Sequence, residues 1–485
     1  MIHPFRFENY NIVVDTYSGA VHVMDGLAFR AVNMMNHSAF ERTNPDHWSQ
    51  LTTDLEKEFE GRYSSEEVRD ALLHINQLID NDQIFSADSY EGLSLNLKDR
   101  VSNVKALCLN VAHTCNLDCD YCFASQGKYR GERALMSAEV ARKAVDFLIR
   151  ESGHHRQLDI DFFGGEPLMN LNVVKETVRY ARSLEKDHNK HFRFTFTTNG
   201  ILLDDENIAY LNEEMDNVVL SLDGRKEVHD RFRHSINGSG SYERIVPKFQ
   251  KFVQERGDKE YYIRGTYTKI NRDFFEDILH MTELGFHRLS MEPVIGDERE
   301  PYMLGPADVD FLSGQYELLA KEMMRRNEFA YRTVKEAGDP DQLANEDRPF
   351  VFYHFMLDLD GGPCIHKRIS GCGAGTEYLA VTPSGDLYPC HQFVGEESFT
   401  VGNVFEGIRN RDLGREFKEC NVYAQPECAD CWAKLYCSGG CSANALHATG
   451  SIAGTVPFSC DLFRKRMECA LAVKVHEALL SSEEE

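Results

Sequence analysis

The chain has 485 residues, 42% of them hydrophobic and 27% charged, with a formal net charge of −25. That length exceeds what one hydrophobic core usually organises, so two or three domains are expected. The acidic balance argues against sequence-independent binding to nucleic-acid phosphates, which needs a basic surface, and no run of about 18 apolar residues predicts a membrane span. The first residues, Met1-Ile2-His3-Pro4-Phe5-Arg6, lack a charged stretch followed by an apolar one. No export signal is evident, and a cytoplasmic location is expected. In a reducing compartment, 14 cysteines are metal ligands more often than disulfides.

Residues 1–95 form the first unit. Ile12 to Val14 and Val21 to Val23 are short β-branched runs joined by Tyr17-Ser18-Gly19, a hairpin signal. Helical patterns follow. The clearest opens at Ser64 with Glu67 three residues on, a capping box, and continues as an apolar stripe at Val68, Leu72 and Ile75. A hairpin and three helices suit a small winged-helix-like module. Such a module binds DNA, packs structurally, or takes a peptide as an added strand on its wing; the acidic chain disfavours the first role.

Residues 100–345 alternate strand and helix patterns. Strands are expected at 105–111, 158–163, 192–197, 217–221, 261–267 and 287–292. Between them lie helical stripes such as Val140, Ala144 and Phe147, then Ile245, Phe249 and Phe252, then Phe275, Ile278 and Leu279. Six β–α units imply an α/β fold with a parallel sheet and helices outside it. Periodicity alone allows a partial barrel or a doubly wound sheet. In either, functional loops follow the strands' C-terminal ends.

Four such loops carry chemistry. Cys115, Cys119 and Cys122 follow the first strand at C-x3-C-x2-C spacing. Three thiolates can hold a cubic iron–sulfur cluster and leave its fourth iron without a protein ligand; a zinc site also uses closely spaced cysteines. Gly164-Gly165-Glu166-Pro167 ends the second strand, where two glycines permit close backbone approach and a carboxylate complements an ammonium. Thr197-Thr198-Asn199-Gly200 ends the third. Ser221-Leu222-Asp223-Gly224 ends the fourth, and Arg233 follows.

Residues 346–485 are rich in cysteine. Cys372 and Cys390 flank Gly385; Cys428, Cys431, Cys437 and Cys441 are spaced x2, x5 and x3, and Cys460 follows. Cys364 lies upstream. Cys108, Cys420 and Cys469 read as bystanders, the first in a strand and the last in an amphipathic C-terminal helix. The terminal Ser481-Ser482-Glu483-Glu484-Glu485 reads as a solvated tail.

The cysteine triad with GGEP in register resembles the radical S-adenosylmethionine (SAM) enzymes, whose core is a partial (β/α)6 TIM barrel. In that family SAM chelates the open iron and is cleaved to methionine and a 5′-deoxyadenosyl radical. The resemblance implies SAM contacts from Tyr121, Gly164, Gly165, Glu166, Thr198, Asn199, Ser221 and Arg233, with Tyr121 against the adenine and Ser221 and Arg233 on the ribose and carboxylate. The later cysteines resemble the SPASM extension, which binds two auxiliary clusters. Cys428, Cys431, Cys437 and Cys460 would close one; Cys372, Cys390 and Cys441 would hold the other, with Cys364 the candidate fourth ligand. Three [4Fe–4S] clusters and SAM are thus the implied cofactors.

The whole chain resembles the SCIFF maturases, named for substrates with six cysteines in forty-five residues. The likeness runs from Tyr10-Asn11-Ile12-Val13-Val14-Asp15 to Ile369-Ser370-Gly371-Cys372-Gly373-Ala374-Gly375 and Pro389-Cys390-His391-Gln392-Phe393-Val394-Gly395. These sactisynthases or ranthipeptide synthases form thioether links from cysteine sulfurs to carbons of acceptor residues in a ribosomally made precursor peptide. The auxiliary cluster nearest their active site is thought to have an open iron for a substrate thiolate, an arrangement with which Cys364 sits awkwardly. The implied partners are a cysteine-rich precursor peptide, bound through its leader by the N-terminal module, and an electron donor such as flavodoxin or ferredoxin; no nucleic acid or membrane is implied. Competing readings are another radical SAM maturase, performing formylglycine-type oxidation or carbon–carbon crosslinking, and a non-catalytic zinc-binding scaffold. No general acid or base is assigned, because the cofactor carries the difficult step.

Overall fold

The computed structural model describes residues 1–37, 40–94, 102–129, 131–296, 299–337, 343–359, 361 and 364–482. The expected boundary between residues 95 and 100 and the tail Glu483 to Glu485 lie outside these.

The chain opens with a three-stranded antiparallel sheet in the order β1 (Ile2–Phe7), β2 (Tyr10–Asp15) and β3 (Val21–Met24). The hairpin of β2 and β3 is the expected one; β1 was not anticipated from the sequence. Helices Gly26–His37, Pro45–Glu58 and Ser65–Asp80 follow. The Ser64–Glu67 capping box forms in both directions. Val68, Leu72 and Ile75 bury as their spacing requires.

The period of two in the strands gives this sheet two faces with different partners. Ile2 and Val13 join the helices in a core of their own, while Phe5, Phe7, Ile12 and Val14 belong to the main core of the molecule. The unit is therefore built into the rest. His3 stacks on Trp432 at 3.9 Å and bonds Glu468 at 2.9 Å, and the Thr16 hydroxyl donates to the Trp432 carbonyl at 2.8 Å. The Lys434 ammonium, 3% exposed, lies 3.4 Å from Asp88 and over the rings of Tyr17 and Tyr423.

The large sheet contains β4 (Ala106–His113), a short antiparallel β5 (Ala134–Leu135), β6 (Gln157–Gly164), β7 (His191–Thr198), β8 (Asn217–Ser221), β9 (Glu260–Tyr267) and β10 (Arg288–Pro293). Every expected strand is present to within one or two residues at each end. The order β4-β6-β7-β8-β9-β10 is sequential and parallel throughout. A doubly wound sheet would reverse direction at a switch point; this one does not, and it is the parallel core of a partial barrel.

Leu158, Ile160 and Phe162 of β6 and Phe192, Phe194 and Phe196 of β7 are fully buried beneath the outer helices, each contributing about 2–3 kcal/mol. In the helix Phe274–Glu283 the buried stripe is Phe274, Ile278 and Met281, one position away from the expected Phe275 and Leu279, which are only part-buried.

Two additions extend the sheet. β11 (Val351–Phe352) joins β10, and β12 (Tyr378–Val381) pairs parallel with β4, starting a meander through β13 (Asp386–Tyr388), β14 (Gly402–Asn403) and β15 (Gly407–Ile408). The cysteine-rich C-terminal region is thereby hydrogen-bonded to the first barrel strand. The helix Pro457–Ser482 carries buried Cys469 and packs on the long helix Val309–Ala337. Among the described residues no helix is long and apolar enough to cross a membrane.

Candidate active site and thiol-lined cavities

The loops after β4, β6, β7 and β8 converge on a cavity of about 210 Å³. Its lining includes Cys115, Cys119, Cys122, Tyr121, Ser221 and Arg233. Gly164, Gly165, Glu166, Thr198 and Asn199 line it as well, so every residue expected to contact SAM borders one space.

Several do so for reasons other than those read from the sequence. Gly164 has φ +131°, and an added Cβ would sit 2.4 Å from the Ala112 carbonyl; at Gly165 it would sit 2.1 Å from that of Thr114. The close approach that requires glycine is to the chain's own neighbouring strand. The Glu166 carboxylate faces inward. Its Oε1 accepts from Leu168 N at 3.0 Å and Thr198 Oγ1 at 2.8 Å, and its Oε2 accepts from Asn199 N at 2.8 Å. Burial pushes this carboxyl up to about 7 against the pull of those donors. Thr198 and Asn199 thus brace Glu166, and the Asn199 amide donates to Asn116 Oδ1 at 2.7 Å, tying the turn after β7 to the cysteine loop.

Sequence reasoning passed over Asp223. It is fully buried and accepts from Arg233 Nε at 3.0 Å, from Thr266 N at 3.0 Å and from the Tyr121 hydroxyl. The Arg233 guanidinium lies 5.5 Å from the centre of the Tyr121 ring. Its Nε is committed to Asp223, which leaves the terminal nitrogens for a ligand. The signal available in the sequence was the Ser-Leu-Asp-Gly turn, whose aspartate is placed next to Ser221.

Two further residues missed in the sequence, Glu292 and His391, also border this cavity. His391 follows Cys390, its ring lies 4.9 Å from that of Phe163, and its buried Nδ1 has no hydrogen-bond partner among the described residues. Burial lowers its pKa to about 4.

A second cavity, of about 340 Å³, is lined by Cys428, Cys431, Cys437, Cys441 and Cys460, with Glu292 and Pro293 on its wall. The four cysteines expected to act together face one space, and Cys441, expected with Cys372 and Cys390, borders it as well. Cys372, Cys390 and Cys441 form the other group: Cys390 feels the charges of Cys441 and Cys372, and Cys441 that of Cys372. Cys364 is exposed and lines a different cleft with Tyr17, Ser18, Tyr90 and Arg368, whose lining contains none of those three.

Burial raises the thiols, Cys115 and Cys437 to about 11 and Cys119, Cys390 and Cys428 to about 12. Soft metal centres take thiolates and displace these protons. Among the described residues no three His, Cys, Asp or Glu side chains converge closely enough to hold one metal ion. The thiols ring cavities instead, a donor set that fits an iron–sulfur cluster, which fills space, more readily than a single ion. The small residues beside them, Gly439 and Gly440 in the second cavity, keep that space open.

Comparison with known proteins agrees with this geometry. The radical SAM superfamily model matches residues 109–291, and the SPASM iron–sulfur cluster-binding model matches residues 372–432. The chain carries a radical SAM domain followed by a SPASM domain. Those domains imply iron–sulfur clusters and SAM. A cysteine-type anaerobic sulfatase-maturating enzyme of Clostridium novyi is 24% identical over 346 residues, covering 68% of this chain and 85% of that protein. The radical SAM cyclopropyl synthase TigE of Paramaledivibacter caminithermalis is 21% identical over 446 residues, covering 86% of this chain and 85% of that protein. The solved structure of native anSMEcpe with bound AdoMet shares the fold, with a TM-score of 0.59 and 21% identity, covering 76% of this chain and 99% of that one. The protein is a radical SAM enzyme homologous to maturases.

Proposed function

We propose that the protein forms thioether crosslinks in a ribosomally made, cysteine-rich precursor peptide. The observation that carries this reading is that Cys364 lines a cleft containing none of Cys372, Cys390 and Cys441. Those three thiols are one short of closing a four-iron cluster, and His391 beside Cys390 borders the cavity of Cys115, Cys119 and Cys122. A peptide cysteine entering that cavity meets an incomplete donor set a few side chains from the SAM site. Glu292 and Pro293 border both thiol-lined cavities, so the side chains of Cys428, Cys431, Cys437 and Cys460 lie behind the same wall.

Cys115, Cys119 and Cys122 would hold the cluster that works with SAM; Ser221, the terminal nitrogens of Arg233 and the ring of Tyr121 would hold SAM itself. When bound, that pair supplies a carbon-centred radical able to take a hydrogen atom from the peptide. The chain's own contribution is to position and to exclude water. The Glu166 brace fixes two turns against the cysteine loop, and Asp223 fixes the angle of Arg233 and Tyr121.

The N-terminal sheet supports a leader-guided substrate. β3 is its free edge, and Val23 there is 45% exposed. Asp15 N–H donates to the Ala20 carbonyl, so by alternation the N–H groups of Val21 and Val23 point away from β2, toward an added strand.

The likeness to sulfatase-maturating enzymes keeps cysteine oxidation as a second reading. Co-expression with a cysteine-rich precursor peptide, followed by mass spectrometry before and after thiol alkylation, separates the two. A thioether removes two hydrogens and blocks one thiol per link. Full alkylation of an unchanged peptide refutes the proposal.

A further inference from the structure

Arg264 lies near the middle of β9, in register with Ser221 on β8 and Ser290 on β10. Its neighbours Ile263 and Gly265 are buried, but Arg264 itself is exposed, because its side chain shares the lumen face with Ser221 and opens into the cavity. Among the described residues its side chain has no hydrogen-bond or ion-pair partner. The other charged side chains there are committed: Arg233 to Asp223, Glu166 to Thr198 and Asn199, and Glu292 to His354 at 3.2 Å. Glu292 faces both Arg264 and Arg466, so two guanidinium groups share one carboxylate. A cation that opens into a cavity without a full counter-charge favours an anionic ligand, and guanidinium is shaped to fork a carboxylate.

The position distinguishes two sources of carboxylate. Arg233 packs over Tyr121 and acts on Cys119, at the cysteine-loop end. Arg264 acts instead on Glu292, His354 and His391, on the wall toward the auxiliary cysteines. With Arg233 available at the cysteine loop for a carboxylate on SAM, Arg264 is left for a carboxylate on the substrate.

We propose that Arg264 is a specificity-determining residue that binds the side-chain carboxylate of an aspartate or glutamate in the peptide substrate. The inference rests on the peptide-modifying reading above. It makes that substrate acidic near the modified residue and sets the peptide's register in the cavity through a charge-assisted contact.

The test uses the holoenzyme, its R264Q and R264K variants, and a cysteine-rich precursor peptide that the wild-type enzyme modifies. Each Asp and Glu of that peptide is replaced singly by its amide. One such replacement should raise KM about 10- to 100-fold on the wild-type enzyme, the loss expected for a hydrogen bond to a charged group. R264Q should raise KM for the unaltered peptide by the same factor, the two changes combined should cost no more than either alone, and R264K should recover part of the loss. Equal kinetics of wild type and R264Q, additive losses in the combination, or a peptide without acidic residues overturns the proposal. So does a loss of SAM affinity in R264Q, measured by equilibrium dialysis without peptide, that accounts for the whole effect. A wild-type enzyme that modifies no cysteine-rich precursor peptide removes the peptide-modifying reading, and this inference with it.

Discussion

The Asp223 carboxylate accepts from Arg233 Nε at 3.0 Å while also holding the Tyr121 hydroxyl, so one buried anion sets two residues on different loops. Asp223 is in turn fixed by Thr266 N on β9 and by its own N–H, which donates to His229 Nδ1 at 3.3 Å.

Asp223→Asn should therefore damage the site without touching a cysteine. It removes the counter-charge of Arg233, only 15% exposed, at a cost of about 3 kcal/mol. Reductive cleavage of SAM to 5′-deoxyadenosine should fall at least about tenfold, with iron content unchanged. A variant with normal cleavage would show that Arg233 needs no anchor.

The same network gives a pH dependence. His229 is fully buried, and because Nδ1 accepts from Asp223 N, the proton sits on Nε2 and is donated to Ser241 Oγ at 2.8 Å. Burial lowers its pKa from 6.5 to about 4. Below 6.5 the unfolded chain takes up a proton that the folded one refuses, so stability present above pH 6.5 is lost as pH falls toward 4, by about 3 kcal/mol. His229→Gln keeps a donor toward Ser241 and removes this titration. Anaerobic urea unfolding at several pH values should show a shallower decline for the variant; parallel profiles would contradict the assignment.

Cluster content separates the roles of the cysteines. The reconstituted holoenzyme should bind about 12 iron atoms, as three cubic clusters require. Replacing Cys115, Cys119 and Cys122 together by alanine should leave about 8 and abolish SAM cleavage. Cys364→Ala should retain full iron, whereas Cys390→Ala should lose one cluster's worth. Iron analysis alone decides between these outcomes, and loss of a cluster in Cys364→Ala would make that residue a ligand.

The edge of β3 can be tested by one substitution. Val23→Pro removes an N–H that faces away from β2 and so spares the existing ladder. Leader-peptide affinity, measured by fluorescence anisotropy on the full-length enzyme, should fall roughly tenfold. This is a cleaner probe than deleting residues 1–90, because Phe5, Phe7, Ile12 and Val14 are part of the main core and their removal would expose it. Unchanged affinity would move the leader elsewhere.

The sequence by itself determined the strands, the cysteine groups and the loops that carry them. Phe192, Phe194 and Phe196 alternate because one face of β7 is dry, and Cys115, Cys119 and Cys122 are spaced by the reach of a single loop. Both are local properties. The tertiary structure decided what depends on pairing between distant segments: that the strands run in sequential order, that β12 pairs with β4, and that β1 binds the N-terminal unit to the helix Pro457–Ser482. Arg264 and Glu292 were unreadable for the same reason. A carboxylate or guanidinium in a strand pattern looks like any surface charge until register brings Arg264 between Ser221 and Ser290 and turns it into the lumen. Cys364 shows the limit most clearly: eight residues from Cys372 along the chain, it lines another cleft, because backbone proximity does not fix where a side chain points.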